Sequence, residues 1–222
     1  APDALGANGE RRYLVLAESA DEIRASGGFV SGAWILTFID GALEELEESD
    51  YRDVVKVDDL TNLENYPTPP LLLANHMDAS VWLMRDVSWE PDFPSVATFA
   101  AEILAIGQDG LQVDGVMALT QWAMLDLAAA LGSIETPDGS VPSNELLTTL
   151  ETGTDGAGRA FMDTLFRGLL DQISSPSVNG RIFQLARATS KTLAEKQALI
   201  HLFDEDLQQI VTRAGWDGAT IR

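Results

Sequence analysis

The sequence predicts an α/β fold: a single layered domain in which a mixed sheet, including an N-terminal hairpin, packs against several helices. Three observations carry this. Short apolar or β-branched runs precede, separate and follow longer stretches with helical spacing. Asp40-Gly41 is a strong two-residue hairpin signal between runs at 29–39 and 42–48. A length of 222 residues suits one α/β domain able to bury most of its apolar surface.

The elements follow in order. Residues 1–11 read as a flexible lead-in, and 13–17 as a buried strand whose end delivers 18–28 to an edge of the sheet. The hairpin comes next. Charge and Pro67, Pro69 and Pro70 make 49–75 a long irregular connection, with room for short ordered pieces. Pro94 suits a first helical position before the stripe Val96, Phe99, Ala100, Ile103 and Leu104. A strand at 113–119 leads to Thr120, the N-cap of an apolar helix that stops at Gly132 and is expected to be buried on most sides. Asp138-Gly139 marks a turn, Ser143 caps a short helix to 151, and 153–158, including Gly156-Ala157-Gly158, reads as a loop. Phe161, Leu165, Phe166, Leu169, Leu170 and Ile173 form one face of a helix that breaks before Pro176. A helix at 181–195 and a strand at 198–203 follow, and Asp204 caps a last helix, 205–214, stopped by Gly215.

Composition excludes several chemistries. The chain has no Cys, so thiolate metal sites, disulfides and Cys nucleophiles are absent. Its net charge of -21 repels phosphate backbones, so nucleic acid is not an expected partner, and the acid reads as a means of keeping the surface solvated, as in a salty habitat. No apolar run is long enough to span a membrane. His76 and His201 lie far apart without a metal-ligand pattern, and His201, inside an apolar strand, reads as a hydrogen-bonded core or edge residue. There is no nucleophile elbow and no Walker A sequence.

Two segments carry the informative residues. In 21–29, Glu22 and Arg24 place opposite charges beside Gly27 and Gly28, whose backbone freedom suits an N–H cradle for an anion or a metal phosphate. A tight turn stabilised by an ion pair of Glu22 or Arg24 reads from the same residues, and their chemistry alone favours it. In 82–94, two Trp, two Pro and a Phe make a stiff apolar loop around Arg85, Asp86 and Asp92. That loop is either a ligand site or a clamp, with Asp92 capping the Pro94 helix and Arg85 paired to Asp86 or Glu22. Arg52-Asp53, after the hairpin, is a third candidate. No Lys or Arg stands between Arg85 and Arg159, so an anion would depend on Arg24, Arg52 or Arg85.

At these residues the chain resembles the bacterial domain-of-unknown-function family 4012. Glu22, Arg24, Gly27, Gly28 and Phe29 match one motif, and Arg85, Asp86, Trp89, Pro91, Asp92, Phe93 and Pro94 match another. Glu18, Ser19, Ala25 and Ser26 depart from the first. Val113-Asp114-Gly115-Val116 and Gly215-Trp216-Asp217-Gly218 also look like family signatures. The resemblance implies an extracytoplasmic envelope domain at the bacterial cell membrane, with an anchoring helix upstream. More distantly, the layout looks like the LytR-CpsA-Psr family, whose members transfer glycopolymers from polyprenyl pyrophosphate to the cell wall using Arg residues and magnesium. Under that likeness Arg24, Arg85, Asp86 and Asp92 would be catalytic. Arg52, Gly27 and Gly28 would hold the pyrophosphate, and Asp21, Glu22 and Asp53 the magnesium ion. The rival is a non-catalytic envelope module that binds glycan or protein. The shared geometric expectation is that 21–29 and 82–94 meet at one end of the sheet, with Glu22, Arg24, Arg85 and Asp86 within reach of one another.

Overall fold

Strand β1 (Arg11–Ser19) has six consecutive buried residues, Tyr13 to Glu18, which places it in the interior of a sheet with both faces covered. A computed structural model of the chain describes residues 2–20, 22–49, 66–137, 139–146, 148, 156–175 and 180–220. In it β1 lies between β2 (Phe29–Ile39), antiparallel, and β4 (Gly115–Thr120), parallel. β3 (Ala42–Ser49) extends the β2 side and β7 (Ala198–Leu202) the β4 side, both antiparallel, giving the order β3-β2-β1-β4-β7. This is the expected mixed sheet with its hairpin, turned at Asp40 and Gly41, both at positive φ.

The faces follow from strand alternation. Leu14, Leu16, Ala33, Ile35, Val116 and Ala118 face helix α2 (Phe93–Gly107), which buries Phe93, Val96, Ala97, Ala100, Ile103 and Leu104 against them. Val15, Ala17, Trp34 and Leu36 face the other way, towards α3 (Gln121–Leu131), α4 (Gly156–Ser174) and α5 (Ile182–Ala194). Trp34 stacks on Phe166 of α4 with ring centroids 4.2 Å apart. A short helix α1 (Leu71–Met77) follows the prolines, within the long connection. A final helix α6 (Glu205–Ala214) starts where the Asp204 side chain accepts from the N–H groups of Asp206 and Leu207, and ends at Gly215 with φ 71°. Among the described residues no helix is long and apolar enough to cross a membrane.

Several expectations need correction. Helix α3 is not buried on most sides: Ala123, Met124, Ala128 and Leu131 are buried, while Trp122 is 44% exposed. Gly156-Ala157-Gly158, read as a loop, opens α4. The Asp138-Gly139 signal joins two four-residue strands, β5 (Ser133–Thr136) and β6 (Gly139–Pro142), a separate small sheet that their length hid from periodicity. Residues 2–5 wind into a 3-10 turn, and the Leu5 carbonyl accepts from the N–H of Gly41 at the tip of the hairpin. Of the expected 143–151 helix, residues 147 and 149–151 lie outside the described residues, while Leu146 and Thr148 are helical.

The free edge of β7 is closed by side chain and loop: the Leu202 N–H donates to Gln208 Oε1 and the Ile200 N–H to the Trp216 carbonyl. Helix α4 crosses β5 closely enough that a Cβ on Gly168 would overlap the Glu135 carbonyl oxygen and press on Ile134. Gly168→Ala is therefore expected to cost about 1–3 kcal/mol, read as a lower urea midpoint at unchanged slope.

Candidate functional site

The carboxyl end of β1 is shaped by a bulge. Pairing with β2 shifts between Ala17 and Glu18, leaving Ser31 unpaired in the ladder while its hydroxyl donates to the Ala17 carbonyl at 3.2 Å. Glu18 continues the Leu14 and Leu16 alternation, so it points to the α2 side of the sheet. The chain then loops through 22–28 back to β2. Phe29 N–H donates to the Glu22 carbonyl at 3.0 Å, closing the loop.

The second segment arrives above it as a 3-10 turn, Met84–Trp89, with Met84, Asp86, Val87 and Ser88 buried. Backbone and side chain join the two. Ser26 N–H donates to the Ser88 carbonyl at 3.2 Å, and the Ser88 hydroxyl donates to the Gly28 carbonyl. The aromatic residues hold the turn from outside: Trp82 Nε1 donates to the Asp86 carbonyl at 3.0 Å, and the Trp82 ring lies on Phe99 with centroids 3.8 Å apart. Tyr66 donates its hydroxyl proton to the Trp82 carbonyl at 2.6 Å, and burial pushes its pKa up to about 12.

Asp86 is the centre of the contact. Its Oδ1 accepts from Arg24 Nη2 at 3.0 Å and its Oδ2 from Arg85 Nε at 3.2 Å. Glu22 Oε2 stands 4.0 Å from Arg24 Nη2. The four residues expected to converge do so. Their environments differ, and with them their roles. The Arg24 and Asp86 side chains are only 8% and 7% exposed, whereas Arg85 is 48% exposed. Arg24 also donates to the Ile23 carbonyl and lies 5.5 Å over the Phe29 ring, and its Nε is buried without a partner. Arg24 is thus committed to the protein. Arg85 is held by Nε alone, and among the described residues its terminal Nη groups have no protein partner.

The remaining site candidates separate. Asp92 is the N-cap of α2: its Oδ2 accepts from Ser95 N–H and hydroxyl, and its Oδ1 from Thr220 N–H at 2.8 Å. Gly27 and Gly28 are not there for backbone freedom, since neither takes a positive φ. They are there for space: a Cβ on Gly27 would overlap Glu18 Oε2, and one on Gly28 the Ser19 carbonyl. The Gly27 N–H, expected to face a ligand, turns inward to the Arg24 carbonyl. Asp21, Arg52 and Asp53 lie outside the described residues. Among the described residues no three His, Asp or Glu side chains form a group able to hold a metal ion, and Glu22, the one described member of the magnesium set, is 61% exposed at its side chain. The described residues therefore do not fit a magnesium site by themselves.

Glu18 was missed. It is buried, its Oε1 has no partner, and desolvation raises its pKa to about 8, so it is largely protonated at neutral pH. In sequence it is one more acid near a strand end; the Gly27 that gives it room was the available signal. His201 keeps to an edge strand as expected, yet its Nδ1 is buried without a hydrogen bond, its ring meets Phe203 edge-on, and burial lowers its pKa.

The model of the DUF4012 family, described as a protein of unknown function, matches residues 8–154. The crystal structure of Bacillus subtilis TagV is 13% identical, with a TM-score of 0.53, covering 94% of this chain and 81% of TagV. The Bacillus subtilis transcriptional regulator yvhJ is 12% identical, with a TM-score of 0.50, covering 91% of this chain and 76% of that one. At these identities the likeness is one of fold. No curated protein matches the sequence.

Two outcomes follow from the charges. Asp86→Ala would leave the buried Arg24 without its hydrogen-bonded carboxylate, with only the exposed Glu22 at 4.0 Å, and should destabilise the fold by about 3 kcal/mol in denaturant titration, whereas Arg85→Ala, at a half-exposed pair, should cost under about 1 kcal/mol. Glu18 has its folded-state pKa raised from 4.5 to about 8, so the unfolded chain releases the proton first. Its contribution is full below the unfolded value and is lost as pH rises to the folded one. Glu18→Gln removes this loss: the melting-temperature gap over the parent should widen across that window and stay level above it.

Proposed function

Because the chain belongs to the DUF4012 family and shares the TagV fold, we propose that it is an envelope domain that binds the pyrophosphate of polyprenyl-linked glycopolymers, in the manner of a glycopolymer phosphotransferase. The observation that carries the reading is Arg85. Its Nε is fixed on Asp86, its side chain is half exposed, and its terminal donors have no partner among the described residues, a pre-oriented cation of the kind that grips phosphate oxygens in pairs. Arg24 is the positioning residue: by binding the other oxygen of Asp86 from a buried site, it holds the carboxylate that orients Arg85.

Among the described residues nothing else at this end of the sheet favours an anion so strongly, given the overall charge. Glycopolymer transfer would form a phosphorus–oxygen bond to an acceptor hydroxyl and break the phosphoanhydride, releasing polyprenyl phosphate. In that chemistry magnesium would offset pyrophosphate charge, and we propose it as a companion of the ligand, with Asp21, Glu22 and Asp53 as the carboxylates that would hold it and Arg52 beside the pyrophosphate. The same reading puts the domain on the extracytoplasmic side of the bacterial membrane, behind an upstream anchor.

The non-catalytic alternative has its own support. Arg24 is spent on protein partners, Asp92 on a helix cap, and the neutral Glu18 carboxyl is an acid rather than a base at pH 7. A module that holds a glycan carrier without transferring it needs only Arg85.

Calorimetry with geranylgeranyl pyrophosphate, with and without magnesium, tests the reading. The parent should bind, Arg85→Ala should weaken binding at least ~10-fold, or about 1.4 kcal/mol, and Arg85→Lys should restore only part of it. If the parent fails to bind under both conditions, or Arg85→Ala binds equally well, pyrophosphate is not the ligand. If it binds, absence of glycan transfer from a lipid-linked donor would select the non-catalytic form.

A further inference from the structure

On the opposite face of the sheet from Arg85 lies a shallow cavity of about 820 Å³, where the start of α3 meets the end of α5. Trp122, in the first turn of α3, forms part of its wall and is 44% exposed. No ring contact occupies its faces among the described residues. Around it stand Asn144 and Gln197. The Gln197 side-chain oxygen is taken by the Thr120 hydroxyl at 2.6 Å, and neither its amide N–H groups nor the exposed Asn144 amide has a partner among the described residues. The third side is charged: Lys191 Nζ binds both oxygens of Asp126 at 2.9 and 2.8 Å, with Glu195 at 3.9 Å.

From this arrangement we infer that the cavity is a saccharide subsite for a neutral glycan. An exposed indole offers an apolar face to the C–H side of a pyranose ring, and unpaired amides with a nearby carboxylate match its vicinal hydroxyls. The ion pair is not free to take an anion. One Lys against Asp126 and Glu195 leaves the rim with net negative charge, which disfavours uronates, phosphates and nucleic acid and tolerates neutral or N-acetylated sugars. The site does not depend on the pyrophosphate reading, since it shares no residue with the Arg85 cluster.

The test is calorimetric titration of the full chain with chitotetraose and mannotetraose as neutral probes, and trigalacturonate as the anionic control. At least one neutral tetramer should bind with a Kd below ~5 mM; Trp122→Ala should weaken it at least ~10-fold and Asn144→Ala about threefold, and trigalacturonate should not bind. Both side chains are exposed, and thermal unfolding checks that each variant is folded. Arg85→Ala should leave these affinities unchanged, so failure here and failure of pyrophosphate binding are read separately. The inference is overturned if neither neutral probe binds at ~10 mM, if Trp122→Ala binds as the parent does, or if trigalacturonate binds as tightly as the neutral sugars.

Discussion

Parallel pairing of β1 with β4, from Tyr13 opposite Gly115 to Glu18 opposite Thr120, is the constraint from which the rest of the architecture follows. Two parallel neighbours cannot be joined by a tight turn, so the chain between them must cross back over the sheet. Here the crossing contains the hairpin, the proline-rich connection, the 3-10 turn and α2. Since β1 and β4 both end on the same side, the loop residues 22–28 and the start of α3 share one end of the sheet, where such folds place ligands. The two faces at that end then receive different chemistry: arginines and a buried acid on the α2 side, an exposed tryptophan on the α3 side.

Burial divides labour among similar charges. Asp86 is nearly inaccessible and must be paired; it is paired twice, once from below by Arg24 and once from the surface by Arg85. The inner arginine fixes the acid and the outer one is presented to solvent. Glu18 illustrates the opposite outcome, an acid whose burial without a cation is relieved by holding its proton.

The segments that look like family signatures act as clasps. Asp114 accepts from the Arg12 N–H at 2.8 Å and pairs with Arg11 at 2.6 Å, which registers β1 against the start of β4. Gly218, at φ 59°, packs its α-carbon side against Phe93 and Leu199, and its carbonyl accepts from the Phe93 N–H at 3.4 Å. With Thr220 bound to Asp92, the C-terminal end of the described chain locks the start of α2, and so the segment that carries Arg85.

The sequence by itself determined the elements whose signals are local. Asp40-Gly41 set the hairpin, Thr120 and Gly132 bounded α3, Asp204 and Gly215 bounded α6, and the pairing of Arg85 with Asp86 was legible as adjacent opposite charges. Helix caps and turns depend on a few adjacent residues, so they can be read from them. Only the tertiary structure decided which arginine is buried, that Gly27 and Gly28 make room rather than supply a cradle, that Glu18 is buried and that Trp122 is exposed. Burial is a property of what comes to lie alongside a residue from 60 to 130 positions away, as Arg24 with Asp86 and Asp92 with Thr220, and those neighbours are set by the β1–β4 crossover rather than by local sequence.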